Sequence, residues 1–134
     1  MENIVIVGAG VAGVNAATKL VDSNYQGKIT IIDMGKSPHE RLPEEVMTGF
    51  LGAGGWSDGK LTYHTSIGGQ LSKYTGEEKA MELMDQVINN FKRFHPNPSE
   101  VQCSNPTAEP DFIKPYFGLR LFPVWHVGTD YLHE

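Results

Sequence analysis

Ile4-Val5-Ile6-Val7-Gly8-Ala9-Gly10-Val11-Ala12-Gly13, followed twenty residues after its last glycine by Asp33 at the end of Ile29-Thr30-Ile31-Ile32, is the stretch that decides the fold. Four apolar residues of strand propensity run into a glycine turn without a gap. Ala16, Ala17, Leu20 and Val21 then recur at helical spacing, which predicts a helix from about Gly10 to Asp22, ended by Ser23-Asn24 and Gly27. A second β-branched run follows and closes on an acid. Strand, glycine turn, helix, strand, acid is a βαβ unit of α/β class. A bare GxGxxG is weak evidence, but here every neighbouring part agrees with a Rossmann-like dinucleotide-binding turn.

Each glycine has a physical task in that reading. Gly8 permits the tight turn out of the strand. Gly10 has no side chain, so a pyrophosphate can approach the backbone. Gly13 lets the helix pack closely on the sheet. The free N–H groups of Ala9, Val11 and Ala12 and the positive helix end face the anion. Asp33 would accept hydrogen bonds from the adenosine ribose hydroxyls, and its charge would disfavour a 2′-phosphate.

The whole chain narrows the function classes. Its 134 residues suit one domain, and 40% hydrophobic residues are enough for a core. Eleven basic residues stand against sixteen acidic ones, with no basic block, so no nucleic-acid partner is expected. A single cysteine, Cys103, excludes an internal disulfide and a cysteine-rich metal site, and no metal is expected. No secretory signal is legible, and no run approaches the ~20 apolar residues that span a bilayer. Asn97 and Asn105 are each followed by proline, which blocks glycosylation. A cytoplasmic protein without a membrane partner is expected.

Beyond the core βαβ unit of residues 1–36, residues 37–75 read as a long glycine-rich loop, and loops of that length are often functional. Thr75-Gly76-Glu77-Glu78 reads as a capping box opening an amphipathic helix over 77–95. Ala80, Leu83, Met84, Val87, Ile88 and Phe91 form its apolar stripe, and Lys92, Arg93 and His95 suit its negative end before Pro96 stops it. Residues 96–134 read as a proline-punctuated connector and a last strand over Leu119–Val127, with Pro123 suggesting a sheet edge. Thr129 or Asp130 would cap a further helix with no length left to it, so the domain of residues 1–134 reads as partial and truncated.

Gly49-Phe50-Leu51-Gly52-Ala53-Gly54-Gly55-Trp56-Ser57-Asp58-Gly59-Lys60-Leu61 is the second concentrated signal. Its exposed backbone N–H groups can form an anion-binding nest. Ser57 adds a hydroxyl, Asp58 an acceptor and Lys60 a positive charge. Gly54 to Lys60 also fits the opening of a P-loop, but Leu61 stands where a magnesium-binding serine or threonine belongs, and Asp58 would repel phosphate. A ligand-free flexible loop is the bland alternative.

The opening fingerprint, then Gly-Ala-Gly-Gly-Trp-Ser-Asp-Gly-Lys-Leu, then His126-Val127-Gly128-Thr129-Asp130, together resemble the N-terminal part of FAD-dependent dehydrogenases. These belong to the two-dinucleotide-binding flavoprotein group. The resemblance implies an FAD-dependent oxidoreductase, with Gly8, Gly10 and Gly13 on the pyrophosphate and Asp33 on the ribose. It implies that Ser57, Asp58, Gly59 and Lys60 lie near the flavin, and Gly54 and Gly55 of the same segment are cofactor-binding candidates. Val11 departs from the proline found there in many flavoproteins. Members of the group are also much longer, and their later half supplies more sheet and a substrate domain.

In such a protein the flavin carries the electron chemistry, so no side-chain nucleophile is required. His64 and His126 are the acid–base candidates, since histidine titrates near neutrality, with packing or surface roles the commoner fate. Trp56 could stack on a ring or anchor its loop. Lys36 and Arg41 could face phosphate, with solvent favoured. Three readings stand: an FAD-dependent oxidoreductase or its cofactor-binding piece, an NAD-binding module without flavin, and a catalytically silent remnant acting through a partner. The short chain alone is expected to be weakly active or inactive. The apolar stripe of 77–95 would favour self-association or a completing polypeptide.

Overall fold

Residues 2–56, 59–104 and 122–128 are described by the computed structural model; Ser57, Asp58, the start of the expected last strand at 119–121 and the expected helix from Thr129 lie outside them. Strand β1 (Ile4–Val7) leads through the glycine turn into helix α1 (Val11–Asp22), and β2 (Ile29–Ile32) returns parallel to β1. The register pairs Ile4 with Ile29 and Val7 with Ile32. Helix α1 ends where its sequence says, on Ser23, and Asn24 turns the chain with φ 53°.

Alternation along β1 sorts its side chains onto two faces. Ile6 points at α1, its Cγ2 standing 3.3 Å from where a Cβ on Gly13 would be. Val5 and Val7 therefore point away from α1, and they are 56% and 86% exposed. Ile32, opposite Val7, is 52% exposed. Burial in this part of the chain concentrates instead at the turn, on Ala9, Arg41, Gly49, Leu51 and Gly55.

The segment after β2 is not featureless. It folds as short 3-10 turns at Pro38–Glu40, Pro43–Glu45 and Gly52–Trp56, then strand β3 (Lys60–Thr62) and a short helix α2 (Leu71–Thr75). The chain divides at this point into two compact units, one ending at Gly59 and the other running from Lys60 to Gly128.

In the second unit, helix α3 (Glu77–Phe94) lines a groove with β3, and its Lys92 Nζ lies 3.8 Å from the centroid of the Trp125 ring on β5 (Val124–His126), the strand that also pairs with β4 (Gln102–Ser104). The expected capping box is absent. Thr75 closes α2, its hydroxyl donating to the Leu71 carbonyl, and Gly76 with φ 82° takes the cap position without a side-chain bond. Glu77, the residue before the box glutamate Glu78, accepts at its carboxylate from the Thr65 hydroxyl. The expected edge position of the last strand is also corrected. β5 is central, antiparallel to β3 on one side and β4 on the other. Pro123 lies one residue before the strand, and its carbonyl accepts from the Tyr63 N–H, so proline removes no donor from the ladder. The expected connector contains β4. Of the α3 stripe, Ala80, Ile88 and Phe91 are buried, while Leu83, Met84 and Val87 line a groove of 370 Å³ with Leu61, Ile67 and Tyr63. Among the described residues no helix is long and apolar enough to cross a membrane.

Candidate functional site

The turn after β1 is built by its glycines. Gly8 adopts φ +102° and donates its N–H to the Ile32 carbonyl at 2.7 Å, which carries the chain off the sheet. A Cβ on Gly13 would stand 1.9 Å from the Gly8 carbonyl oxygen, so only glycine allows α1 this close to the turn. At Gly10 the situation is reversed. Its backbone is ordinary, φ −67° and ψ −178°, and a Cβ there would meet nothing within 4 Å. Glycine here leaves open space at the mouth of the helix.

Gly10 caps α1 without a side chain, and the first turn carries no acid. The first helical bond from this end runs from the Val14 N–H to the Gly10 carbonyl at 3.0 Å. The N–H groups of Val11, Ala12 and Gly13 have no helical carbonyl four residues back. They lie beside the open space over Gly10, at the positive end of the helix dipole.

Asp33 stands at the end of β2 with its carboxylate against the turn. Oδ1 accepts from the Gly35 N–H at 2.8 Å, and Oδ2 from the Ala9 N–H at 2.7 Å. These two bonds, in that order, hold its pKa below the ordinary aspartate value, with the Gly49 N–H and the Arg41 charge adding to them against partial burial. Ala9 was expected to face an anion with its N–H; that donor is committed to Asp33. The Gly35, Ala9 and Gly49 N–H groups take three of the roughly four acceptor sites of a carboxylate, so capacity for one hydroxyl remains.

The second glycine segment folds onto the first. The Leu51 N–H donates to the Ala9 carbonyl at 2.7 Å, and the Gly55 N–H to the Leu51 carbonyl at 3.2 Å. A Cβ on Gly54 would stand 3.1 Å from Val11 Cγ2. Gly8, Ala9, Gly10, Val11, Ala12, Gly13, Asp33, Gly54 and Gly55 thus gather in one unit. Ser57 and Asp58 lie outside the described residues. Gly59, with φ 67°, ends the first unit, and Lys60 opens β3 of the second.

Arg41 corrects the sequence reading, which gave it to solvent. It is 9% exposed, with Nε donating to the Lys36 carbonyl at 3.1 Å and Nη2 to the Phe50 carbonyl at 2.6 Å. Its Nη1 is buried with no hydrogen-bond partner among the described residues. The guanidinium carbon lies 6.0 Å from the centroid of the Trp56 ring. Lys36 keeps the surface role, in an ion pair with Glu45 at 2.8 Å. No local pattern marks Arg41 as buried, because the carbonyls it serves come from the two ends of its own loop.

The histidine candidates belong to the second unit. His64 Nδ1 is 2.6 Å from the Ser66 hydroxyl and 3.1 Å from its N–H, and the ring sits 4.6 Å from that of Phe122. These contacts are those of a turn and packing residue. His126 is exposed on β5, between Lys60 and Gln102. Tyr63, on the groove wall, donates to Asp85 at 2.6 Å, and that bond first, then burial, pushes its pKa up to about 12. Among the described residues no group of three or more metal-ligating side chains gathers.

No curated protein and no solved structure matches the chain. A family model does: that of the pyridine nucleotide-disulphide oxidoreductases, over residues 2–96. The matched span takes in β1, the glycine turn, α1, β2 and Asp33, then runs through the second glycine segment and α3. The chain, with its Rossmann-like α/β unit, belongs to the pyridine nucleotide-disulphide oxidoreductase family, whose domains bind FAD or NAD(P).

Proposed function

We propose that the first unit holds the pyrophosphate of FAD over Gly10 and serves an FAD-dependent oxidoreductase. The observation that carries this reading is the open space where a Gly10 side chain would stand, at an uncapped helix N-terminus. The donors of Val11, Ala12 and Gly13 fit an anion there. The remaining acceptor site of Asp33 fits an adenosine ribose hydroxyl, and its ionised carboxylate disfavours a 2′-phosphate, hence NADP. The second glycine segment supports FAD over NAD, because it packs on the first at Ala9 and Val11 and so extends the site beyond what an adenosine half needs. Bound flavin supplies hydride or electron transfer; the chain's own residues bind and orient it. With one cysteine in 134 residues, no redox disulfide forms within this chain.

The absorbance spectrum of the purified protein, with and without added FAD, tests the reading directly. A flavin spectrum that survives gel filtration is the expected result. The alternative, an NAD-binding module without flavin, predicts instead binding of NAD with no retention of FAD. Tighter binding of NADP than of FAD would sink the proposal.

A further inference from the structure

Leu51 is a bulky residue in a conformation that suits glycine. Its φ is 59°, in the left-handed region, and it is only 3% exposed. A leucine adopts that backbone only where its surroundings over-determine it. What it obtains there is a bond: its N–H reaches the Ala9 carbonyl at 2.7 Å. Ala9 is the second residue of the glycine turn. Its N–H is already held by Asp33 at 2.7 Å, so both polar groups of Ala9 are fixed, one from each side. Behind Leu51 stands Arg41. Its Nη2 holds the carbonyl of Phe50, the residue preceding Leu51, and its Nε holds the Lys36 carbonyl. The fork bridges the two arms of the loop, and that geometry is what a guanidinium has and an ammonium lacks.

We propose that Leu51 is a positioning residue for the dinucleotide site: its N–H fixes the Gly8–Gly13 turn in its receptive shape before any ligand arrives, and Arg41 is the strut that holds Leu51 in place. The role rests on the dinucleotide reading above and assigns to the second glycine segment a task other than touching the flavin. A turn of this kind is flexible by composition. Without the clamp, the entropy of ordering it would be charged against binding.

The experiment uses the full chain and two substitutions, Arg41→Met and Arg41→Lys. Amide exchange of Leu51 is read by NMR without ligand, and affinity is read by calorimetry with FAD and, separately, NAD. In the unaltered chain the Leu51 amide is protected before ligand is added. Both variants lose that protection while α1 amides keep theirs, and both bind FAD about tenfold more weakly, as expected for a lost charge-assisted bond. Full rescue by Arg41→Lys would show that Arg41 acts through its charge on Asp33, and the positioning role falls. Loss of protection with unchanged affinity overturns it too. So does free exchange of the Leu51 amide in the unaltered chain, a measurement that stands even if neither variant folds. Failure of the unaltered chain to bind either FAD or NAD removes the dinucleotide reading itself and this role with it.

Discussion

Gly10 and Gly13 stand three residues apart in one motif and should fail in opposite ways. At Gly10 the backbone is one any residue adopts and the space is open, so Gly10→Val should fold with a stability change within about 1 kcal/mol. Calorimetry with FAD should then show binding abolished. At Gly13 even a methyl collides with the Gly8 carbonyl, so Gly13→Ala should cost about 3 kcal/mol, read from a urea denaturation midpoint. Tyr63 offers a spectroscopic counterpart. Tyr63 should titrate at about 12 in an alkaline absorbance titration, and Tyr63→Phe should remove that step. Its pKa is raised by folding, so the stability it contributes is present below pH 10 and is lost as pH climbs towards 12. The glycine residues were legible in the sequence because each acts on its immediate neighbours. Arg41 and Leu51 were not, because a loop must close before either has anything to hold.

The elements divide in the same way. Helices α1 and α3 are legible from periodicity alone, since their apolar stripes repeat locally. The start of α3 at Glu77 is legible as well, but its cap is not, because Thr75 has a competing use as the last residue of α2. Gly76 has φ 82° and ψ 159°, a backbone region that is essentially glycine's own. Gly76→Ala should therefore destabilise the second unit by about 1–3 kcal/mol, measured by chemical denaturation, whereas removing the Thr75 hydroxyl should matter little. Within α3 the stripe is uneven. Phe91→Ala should cost about 3–5 kcal/mol, and Leu83→Ala on the groove wall distinctly less, because a half-buried side chain leaves a smaller void. The central place of β5 is invisible in sequence. Its neighbours β3 and β4 are both far from it along the chain, and the only local hint, Pro123, falls just outside the paired residues.

For the whole molecule, acid should act first on the loop that joins the two glycine segments. The carboxyls of Asp33 and Glu45 are both held below their ordinary values of 3.8 and 4.5, Asp33 by the Gly35 and Ala9 N–H groups and Glu45 by Lys36 and the Leu42 N–H. Groups depressed in the folded state contribute stability that is present above those values and lost as pH falls through the lower folded ones. Urea midpoints measured downward from pH 6 should fall below about pH 4, and Asp33→Asn should flatten part of that slope. In the same unit, the exposed face of β1 and β2 has a cost in handling. Val5, Val7 and Ile32 present a strip of β-branched side chains to water, and the four residues of β1 carry no charge and no proline. Among the described residues β1 pairs with β2 alone, and the N–H and C=O groups of Val5 and Val7 alternate with those that pair to it, so the strand also offers a hydrogen-bonding template. That combination favours cross-β stacking. During refolding at high concentration, fibrillar assembly should therefore begin at the residues that launch the nucleotide turn, and a lysine at Val5 should delay it.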